Sequence, residues 1–172
     1  FNYLSRAIEA ELQARGIDSR MMGGHKFFDR MEVKDLLAYL ALADNPGFTP
    51  AFVRVVNVPK RGIGEKSVTD LLNMAKAEGC KPMELAERVV GGGKNPGIKP
   101  AMKKGLKHLV EAVEAVREAA DAGSSVSELI ELLIEKINYE NYLKAQPDYE
   151  ARWGNVQELI SFSTIVSQQT SY

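Results

Sequence analysis

Residues 57–68 read NVPKRGIGEKSV, which places two glycines around one isoleucine, flanks them with cations and leads into a helical pattern. Glycine accepts positive φ and lets a foreign backbone come close. The first turn of a helix carries unpaired N–H groups and the positive end of the helix dipole, which together attract an anion. Lys60, Arg61 and Lys66 would surround that anion with positive charge. The stretch therefore predicts a phosphate-binding bend, and a phosphodiester is the natural ligand.

A second interpretation of the same residues needs no ligand. Ile63 would plug the core at a tight turn, and Gly64 would be the N-cap of the next helix. The stretch alone does not decide between the two interpretations.

Composition excludes several kinds of site. The chain has 172 residues, enough to bury a substantial core, and its formal net charge of −1 confines any nucleic-acid contact to local patches. Cys80 is the single cysteine, so no internal disulfide is expected. Together with His25 and His108 it offers too few ligands for zinc, and we predict no metal site. No apolar run approaches the roughly 18 residues needed to cross a bilayer, and we expect no membrane partner.

Apolar residues recur at helical spacing along nearly the whole chain, which predicts a mainly α fold: an irregular multi-helix domain. Residues 17–22 are the candidate for one short strand near the N-terminus. Asp29 with Glu32, and Ser125 with Glu128, have the spacing of capping boxes at helix starts. Because the chain begins at Phe1 within a helical pattern, we expect a piece of a longer protein.

Lysines are concentrated in a second stretch, where residues 94–107 contain five lysines and no acid. Each phosphate that such a patch neutralises would add a salt-dependent increment of binding. The alternative is that these lysines are simply the solvated face of a helix. The secondary candidates for contact with DNA are Lys94, Lys99, Lys103 and Lys104.

Catalytic interpretations fail on the residues present. Residues 91–94, GGGK, lack the second glycine and the Ser or Thr that a P-loop needs, because those positions hold Arg88 and Asn95. His25 and His108 have no nearby partner that would make either a general base. We therefore predict no catalytic residue and no cofactor in this chain.

Residues 23–40, GGHKFFDRMEVKDLLAYL, resemble a segment of the UvrD/PcrA/Rep group of superfamily 1 DNA helicases. In that family the segment leads from the second motor domain, 2A, into its inserted helical domain, 2B. Residues 51–64, AFVRVVNVPKRGIG, resemble the family's next landmark in order and spacing, and residues 1–6, FNYLSR, resemble the end of a motor segment. Between about residues 80 and 148 the resemblance is carried by helical pattern rather than by motifs.

The resemblance implies a division into domains. Residues 1–28 would be a remnant of 2A, residues 29–150 the 2B accessory domain, and residues 151–172 a helix returning to 2A. The longer protein would be an ATP-dependent 3′–5′ DNA helicase of DNA repair or recombination that uses ATP and Mg. The family's ATP-binding and magnesium-binding residues lie in domains outside this chain, so the fragment itself should hydrolyse nothing.

The resemblance also assigns a role to the two glycines. In the family the G-I-G element belongs to a helix-hairpin-helix-like unit on 2B that grips the phosphate backbone of duplex DNA. Backbone contacts of this kind position a protein without reading sequence. The predicted DNA-binding residues are Lys60, Arg61, Gly62, Ile63, Gly64, Lys66 and Ser67, through backbone N–H groups at 62–64, three charges and one hydroxyl.

The same resemblance supplies expectations about motion, partners and location. Domain 2B rotates against 2A in the family, which would make residues 28–35 and 145–154 hinges. The expected partners are duplex DNA or a single-strand/duplex junction, the motor domains of the same chain, and recombination or repair proteins. Residues 23–30 and 91–100 resemble the fungal anti-recombination branch, which implies a nuclear protein; a bacterial one would be cytoplasmic.

Two alternatives belong to other classes of protein. The chain would be a helical protein-interaction module of the same helicase with little DNA contact, or an independent enzyme. Salt-dependent binding to duplex DNA separates the first alternative from the leading hypothesis, and ATP turnover by the pure fragment would establish the second.

Overall fold

The computed structural model describes residues 25–169, which are mainly helical, and the predicted fold class is confirmed. The strand predicted over residues 17–22 lies outside the described residues. None of the helices in the described part of the chain is long and apolar enough to cross a lipid bilayer. The helices are α1 (His25–Phe28), α2 (Met31–Asp44), α3 (Thr49–Val55), α4 (Glu65–Ala77), α5 (Pro82–Val90), α6 (Pro100–Asp121), α7 (Val126–Ile137), α8 (Tyr139–Lys144) and α9 (Tyr149–Gln169).

Local signals set the starts of several helices. Proline lies in the first turn of α3 and of α5, where its missing N–H costs no hydrogen bond. The predicted capping box at the start of α7 is confirmed. Ser125 Oγ accepts from the Glu128 N–H at 3.3 Å, and Glu128 Oε1 accepts from the Ser125 N–H at 3.1 Å. The Ser125 backbone N–H, and then its hydroxyl, lower the pKa of Glu128 because they favour the charged carboxylate.

The capping box predicted at Asp29 and Glu32 is wrong. Helix α2 begins at Met31, which places Asp29 outside the N-cap position, and the Asp29 carboxylate lies 3.7 Å from Lys34 Nζ instead. Glu32 is only 2% exposed, and its carboxylate accepts hydrogen bonds from Arg152 and Asn155. Because the Glu32 carboxylate is used in the interior, it does not turn back to cap the helix.

The chain divides into two compact units, Ala38–Glu118 and a second unit that joins Phe1–Leu37 to Ala119–Tyr172. Of the second unit, residues 25–37 and 119–169 are described. The domain boundaries predicted at residues 28 and 150 stay a prediction.

The unit Ala38–Glu118 holds the two predicted basic stretches. Helices α3 and α4 both contact α5, and apolar side chains from these helices and from α6 form a solvent-excluded core. Its fully buried members include Phe52, Val55, Ile63, Leu71, Met83, Leu85, Leu106 and Leu109.

In the other unit, buried polar residues of α2 form hydrogen bonds with residues of α8 and α9. Helix α9 contacts α7 and α8. The Tyr139 hydroxyl donates to Asp35 Oδ2 at 2.8 Å in the interior. Burial, reinforced by the Asp35 charge, raises the pKa of Tyr139, so its hydroxyl stays a donor. Arg152 Nη1 lies 3.2 Å from Glu32 Oε2, and Asn155 Nδ2 donates to Glu32 Oε1 at 2.8 Å. Two acidic residues of the 23–40 motif, Glu32 and Asp35, thus have a structural role.

Candidate nucleic-acid interface

The glycine bend, which we define as residues 60–67, joins α3 to α4 through an exposed turn. Gly62 has φ +74°, a left-handed conformation that glycine adopts without strain. Gly64 has φ −74° and ψ 178°, which any residue accepts, and it is the N-cap of α4. A Cβ atom built on either glycine would meet nothing within 4 Å. The chain therefore leaves open space outside both glycines, and at Gly64 nothing within the described fold requires glycine.

Ile63 points the other way. It is 1% exposed and its Cδ1 atom lies against Gly105 of α6. The ligand-free interpretation is therefore confirmed for Ile63 as a core residue and for Gly64 as an N-cap. The phosphate-binding interpretation is compatible with it, because the flanking glycines are exposed while Ile63 anchors the turn between them.

The backbone N–H groups of the bend fall into two sets. Asn57 Oδ1 accepts from the Arg61 N–H at 2.6 Å and from the Ile63 N–H at 3.2 Å. The Ile63 amide, predicted as a phosphate contact, is thus already bonded within the chain. The first turn of α4 closes with the Val68 N–H donating to the Gly64 carbonyl at 3.0 Å. The other amides of the bend, those of Lys60, Gly62, Gly64, Glu65, Lys66 and Ser67, make no hydrogen bond to any residue in the range 25–169.

The charged side chains of the bend do not all face solvent. Lys60 and Lys66 are exposed and form no ion pair with any described residue. Ser67 is half-buried in the first turn of α4. Glu65 is also exposed there, and its negative charge partly offsets the two lysines.

The Arg61 side chain folds back instead of reaching outward. Its Nη1 donates to the carbonyl oxygens of Val55, Val56 and Val58 at 2.8, 3.2 and 3.1 Å, and its Nη2 donates to the Tyr39 hydroxyl. The expectation that this guanidinium surrounds a bound anion with mobile charge does not match its placement, because the end of α3 already holds it. A contact between Arg61 and DNA stays a prediction, and the placement of the guanidinium is unfavourable for it.

Helix α6 carries the second basic stretch directly to the bend. A Cβ atom on Gly105 would lie 2.6 Å from the Arg61 carbonyl oxygen and 3.2 Å from Ile63 Cδ1, so α6 and the bend are in backbone contact. Lys103 and Lys104, which immediately precede Gly105, are exposed. Two stretches that are separate in sequence therefore lie side by side in this unit.

The remaining candidate lysines differ in their surroundings. Lys99 is exposed just before α6, and neither Lys99, Lys103 nor Lys104 forms an ion pair among the described residues. Lys94 Nζ lies 3.8 Å from Glu78 Oε2, although its side chain is 78% exposed. Its charge is thus partly compensated, whereas the charges of the other three are not.

The sequence interpretation missed Asn57, Tyr39 and Gly105, the residues that organise the bend. Gly105 had a usable signal, since an isolated glycine inside a helical pattern costs stability and often marks close packing. Tyr39 had none, because its hydroxyl reaches Arg61 across 22 residues of chain.

Comparisons with known proteins agree with the predicted resemblance. The family model described as the UvrD-like helicase C-terminal domain matches residues 1–171. The ATP-dependent DNA helicase PcrA of Bacillus subtilis is 33% identical over 171 residues, which is 98% of this chain and 22% of that protein. The ATP-dependent DNA helicase UvrD1 of Mycobacterium tuberculosis is 32% identical over 164 residues, which is 93% of this chain and 21% of that protein. The ATP-dependent DNA helicase srs2 of Schizosaccharomyces pombe is 30% identical over 175 residues, which is 95% of this chain and 19% of that protein. The chain spans about a fifth of the length of these relatives.

Proposed function

The chain belongs to the UvrD-like helicase C-terminal domain family, and from that membership we propose that it is the duplex-DNA-binding and regulatory 2B region of an ATP-dependent 3′–5′ DNA helicase. The longer protein would act in repair or recombination, in the nucleus of a fungus or the cytoplasm of a bacterium. Residues 29–150 would form 2B between two pieces of 2A. Helix α3, the glycine bend and α4 would form its helix-hairpin-helix-like unit.

One observation carries the DNA-binding part of the proposal. The exposed glycines of the bend stand directly before α4, next to first-turn amides without partners among residues 25–169. These amides and the helix dipole favour a negative charge at this end of α4. Exposed Lys60 and Lys66 add positive charge, and the absence of side chains at Gly62 and Gly64 leaves room for a phosphate to approach. The phosphate groups of a DNA backbone would accept hydrogen bonds from these amides and pair with the two lysines.

Binding of this kind would be independent of sequence. Amides and lysines at the bend contact phosphate, which is the same in every nucleotide, and carry no base-reading geometry. Lys99, Lys103 and Lys104 would extend the contact along α6. With few phosphate contacts, we expect a Kd of about 10⁻⁴ to 10⁻⁶ M at physiological salt.

Residues 91–94, the only stretch that briefly resembles a P-loop, do not fit a nucleotide. The N–H groups of Gly91, Gly92 and Gly93 donate to the carbonyls of Glu87, Val89 and Arg88 at 2.9, 3.1 and 2.8 Å. A P-loop needs such amides to point at phosphates. By the resemblance to the helicase family, ATP and Mg would bind in domains outside this chain, and the fragment alone would not hydrolyse ATP.

The regulatory part of the proposal concerns residues 28–35 and 145–154, the proposed hinges. Within their own unit the two segments are joined, because Glu32 accepts a hydrogen bond from Arg152 and Arg30 Nη1 lies 3.0 Å from Asn155 Oδ1 just beyond the second segment. A rotation that displaces one of these two hinge segments would therefore strain the other.

Lys60→Ala and Lys66→Ala are each expected to weaken duplex binding and to reduce the slope of log K against log salt by about 0.9. Both side chains are exposed, so the lost charge should act on DNA and leave the fold unchanged. Lys76→Ala is the matched control, an exposed lysine in the last turn of the same helix as Lys66. Fluorescence anisotropy with a labelled duplex of arbitrary sequence, repeated over a series of NaCl concentrations, measures the effect.

Two outcomes would contradict the DNA-binding proposal. One is no duplex binding by the wild-type chain at low salt, and the other is binding that neither lysine substitution alters. Either result would favour the protein-interaction module.

Gly64→Thr should separate DNA contact from folding. Threonine is a good N-cap, the φ and ψ of Gly64 suit it, and its side chain would enter open space. We expect the free energy of unfolding to change by less than about 0.5 kcal/mol. Duplex affinity should nevertheless fall about tenfold, because the new side chain blocks charged hydrogen bonds to the bend. Unchanged affinity would show that no backbone approaches Gly64.

A further inference from the structure

We propose that Arg61 is a positioning residue for the glycine bend and is not one of its phosphate ligands. The inference rests on the DNA-binding function proposed above, which it deepens by reassigning one of the predicted contacts. The reason is that the N–H groups of the Arg61 side chain already donate hydrogen bonds within the chain.

The guanidinium of Arg61 caps the C-terminal end of α3. The last carbonyls of a helix lack partners and carry the negative end of its dipole, so a cation there is stabilising. Arg61 Nη1 lies 2.8 Å from the Val55 carbonyl oxygen and 3.2 Å from that of Val56. It also lies 3.1 Å from the Val58 carbonyl oxygen, in the segment that follows the helix. A phosphate would have to displace several charge-assisted hydrogen bonds to recruit this side chain.

Tyr39 supports the same arrangement from the interior. It is 1% exposed, and its hydroxyl accepts from Arg61 Nη2 and donates to the Val58 carbonyl. The Arg61 Cζ atom lies 5.7 Å from the centre of the Tyr39 ring, within range of a cation–π interaction. The guanidinium is thus held by the buried side chain as well as by the backbone.

The main chain of Arg61 is fixed as well. Its N–H donates to Asn57 Oδ1 at 2.6 Å, and its carbonyl oxygen sits where α6 passes, only 2.6 Å from the position of a Cβ on Gly105. The residue immediately before Gly62 is therefore held at its amide, its carbonyl and its side chain. This fixes the direction in which the amides of the bend present themselves to a ligand.

Lysine cannot reproduce this role. Arginine offers five N–H donors in a rigid planar fork, whereas lysine is a compact point charge on a flexible stem. The substitution Arg61→Lys keeps the charge beside the bend but loses the simultaneous contacts with the end of α3 and Tyr39. The two roles of Arg61 therefore predict opposite results for this variant.

The test compares Arg61→Lys, Arg61→Met and Lys66→Ala in the 172-residue chain, by the salt-series anisotropy assay at a temperature well below the melting transition. We expect both Arg61 variants to bind duplex at least about tenfold more weakly than wild type. The salt slope should stay that of wild type in both, because no cation in contact with phosphate is removed, whereas Lys66→Ala should lower it by about 0.9. Amide hydrogen exchange at residues 61 and 63, whose N–H groups donate to Asn57, should be faster in Arg61→Lys.

Three results would overturn the inference. The first is wild-type affinity for Arg61→Lys together with a reduced slope for Arg61→Met, the signature of a direct phosphate contact. The second is a lower melting temperature with unchanged Kd, the signature of a residue that only stabilises the fold. The third is unchanged amide exchange in Arg61→Lys. If Arg61→Met does not fold, Tyr39→Phe replaces it, since it removes one acceptor of the guanidinium and leaves the surface charge intact.

The duplex titration of the wild-type chain tests the proposed DNA-binding function independently of the role of Arg61. If wild type binds no duplex, the exchange measurement alone decides whether Arg61 holds the bend.

Discussion

Gly105→Ala is expected to destabilise the chain by about 2 kcal/mol, although alanine is the better helix former. The new Cβ would lie 2.6 Å from the Arg61 carbonyl oxygen and 3.2 Å from both Arg61 Cβ and Ile63 Cδ1. The nearest of these atoms is backbone, so the contact is relieved only if α6 or the bend moves. Movement of the bend should also weaken duplex binding, by about tenfold if a single charged hydrogen bond is lost.

Gly154→Ala provides the matched control for that experiment. Gly154 lies inside α9, and a Cβ there would meet nothing within 4 Å. The same substitution should therefore stabilise the chain by up to about 1 kcal/mol through helix propensity. Denaturant unfolding and duplex titration of both variants measure the difference. Equal stabilities for the two variants would show that α6 and the bend are not in the backbone contact described above.

Arg152→Met should cost about 3 kcal/mol, because it removes the charged partner of a buried carboxylate. Glu32 is 2% exposed and lies 3.2 Å from Arg152 Nη1, and after the substitution only Asn155 among its two described partners remains. Lys144→Met is the control. It breaks an exposed pair with Glu140 at 3.9 Å, which should change the free energy of unfolding by less than about 0.5 kcal/mol.

A second substitution tests the physical reason for the loss. If the cost comes from an uncompensated buried charge, Glu32→Leu combined with Arg152→Met should regain much of it, since apolar pairs often replace buried ion pairs without loss. Urea unfolding of the single and double variants gives the coupling energy. A double variant no more stable than Arg152→Met would mean that Glu32 is not the source of the cost.

Features that depend on neighbouring residues could be predicted from the sequence. The capping box of Ser125 and Glu128 follows from hydrogen bonds that span three residues, and proline in the first turn of α5 is a signal of the same local kind. Asp29 and Glu32 have the same spacing, yet Glu32 is drawn inward by Arg152, 120 positions away. Local spacing cannot reveal that competition, and the prediction failed there.

The candidate site also has features that local sequence predicts and features that depend on distant residues. The exposure of Gly62 and Gly64 at the start of a helix follows from glycine chemistry and the pattern after residue 64. The inward course of the Arg61 side chain does not, because a long cationic side chain extends into solvent as readily as it folds back. Its direction depends on carbonyls at the end of α3 and on Tyr39, whose position the local pattern leaves open.

The helical class of the chain, the position of the glycine bend and the family to which the chain belongs can be inferred from the order of its residues. Each of these follows from apolar periodicity or from short motifs, in which the interacting residues are near neighbours along the chain. Three other features are known only from the folded chain: which amides of the bend lack a partner among residues 25–169, the capping of α3 by Arg61, and the contact at Gly105 that places the α6 lysines beside the bend. The reason is that hydrogen bonds and close packing between distant segments depend on how the core assembles, and several side-chain directions are compatible with one local pattern.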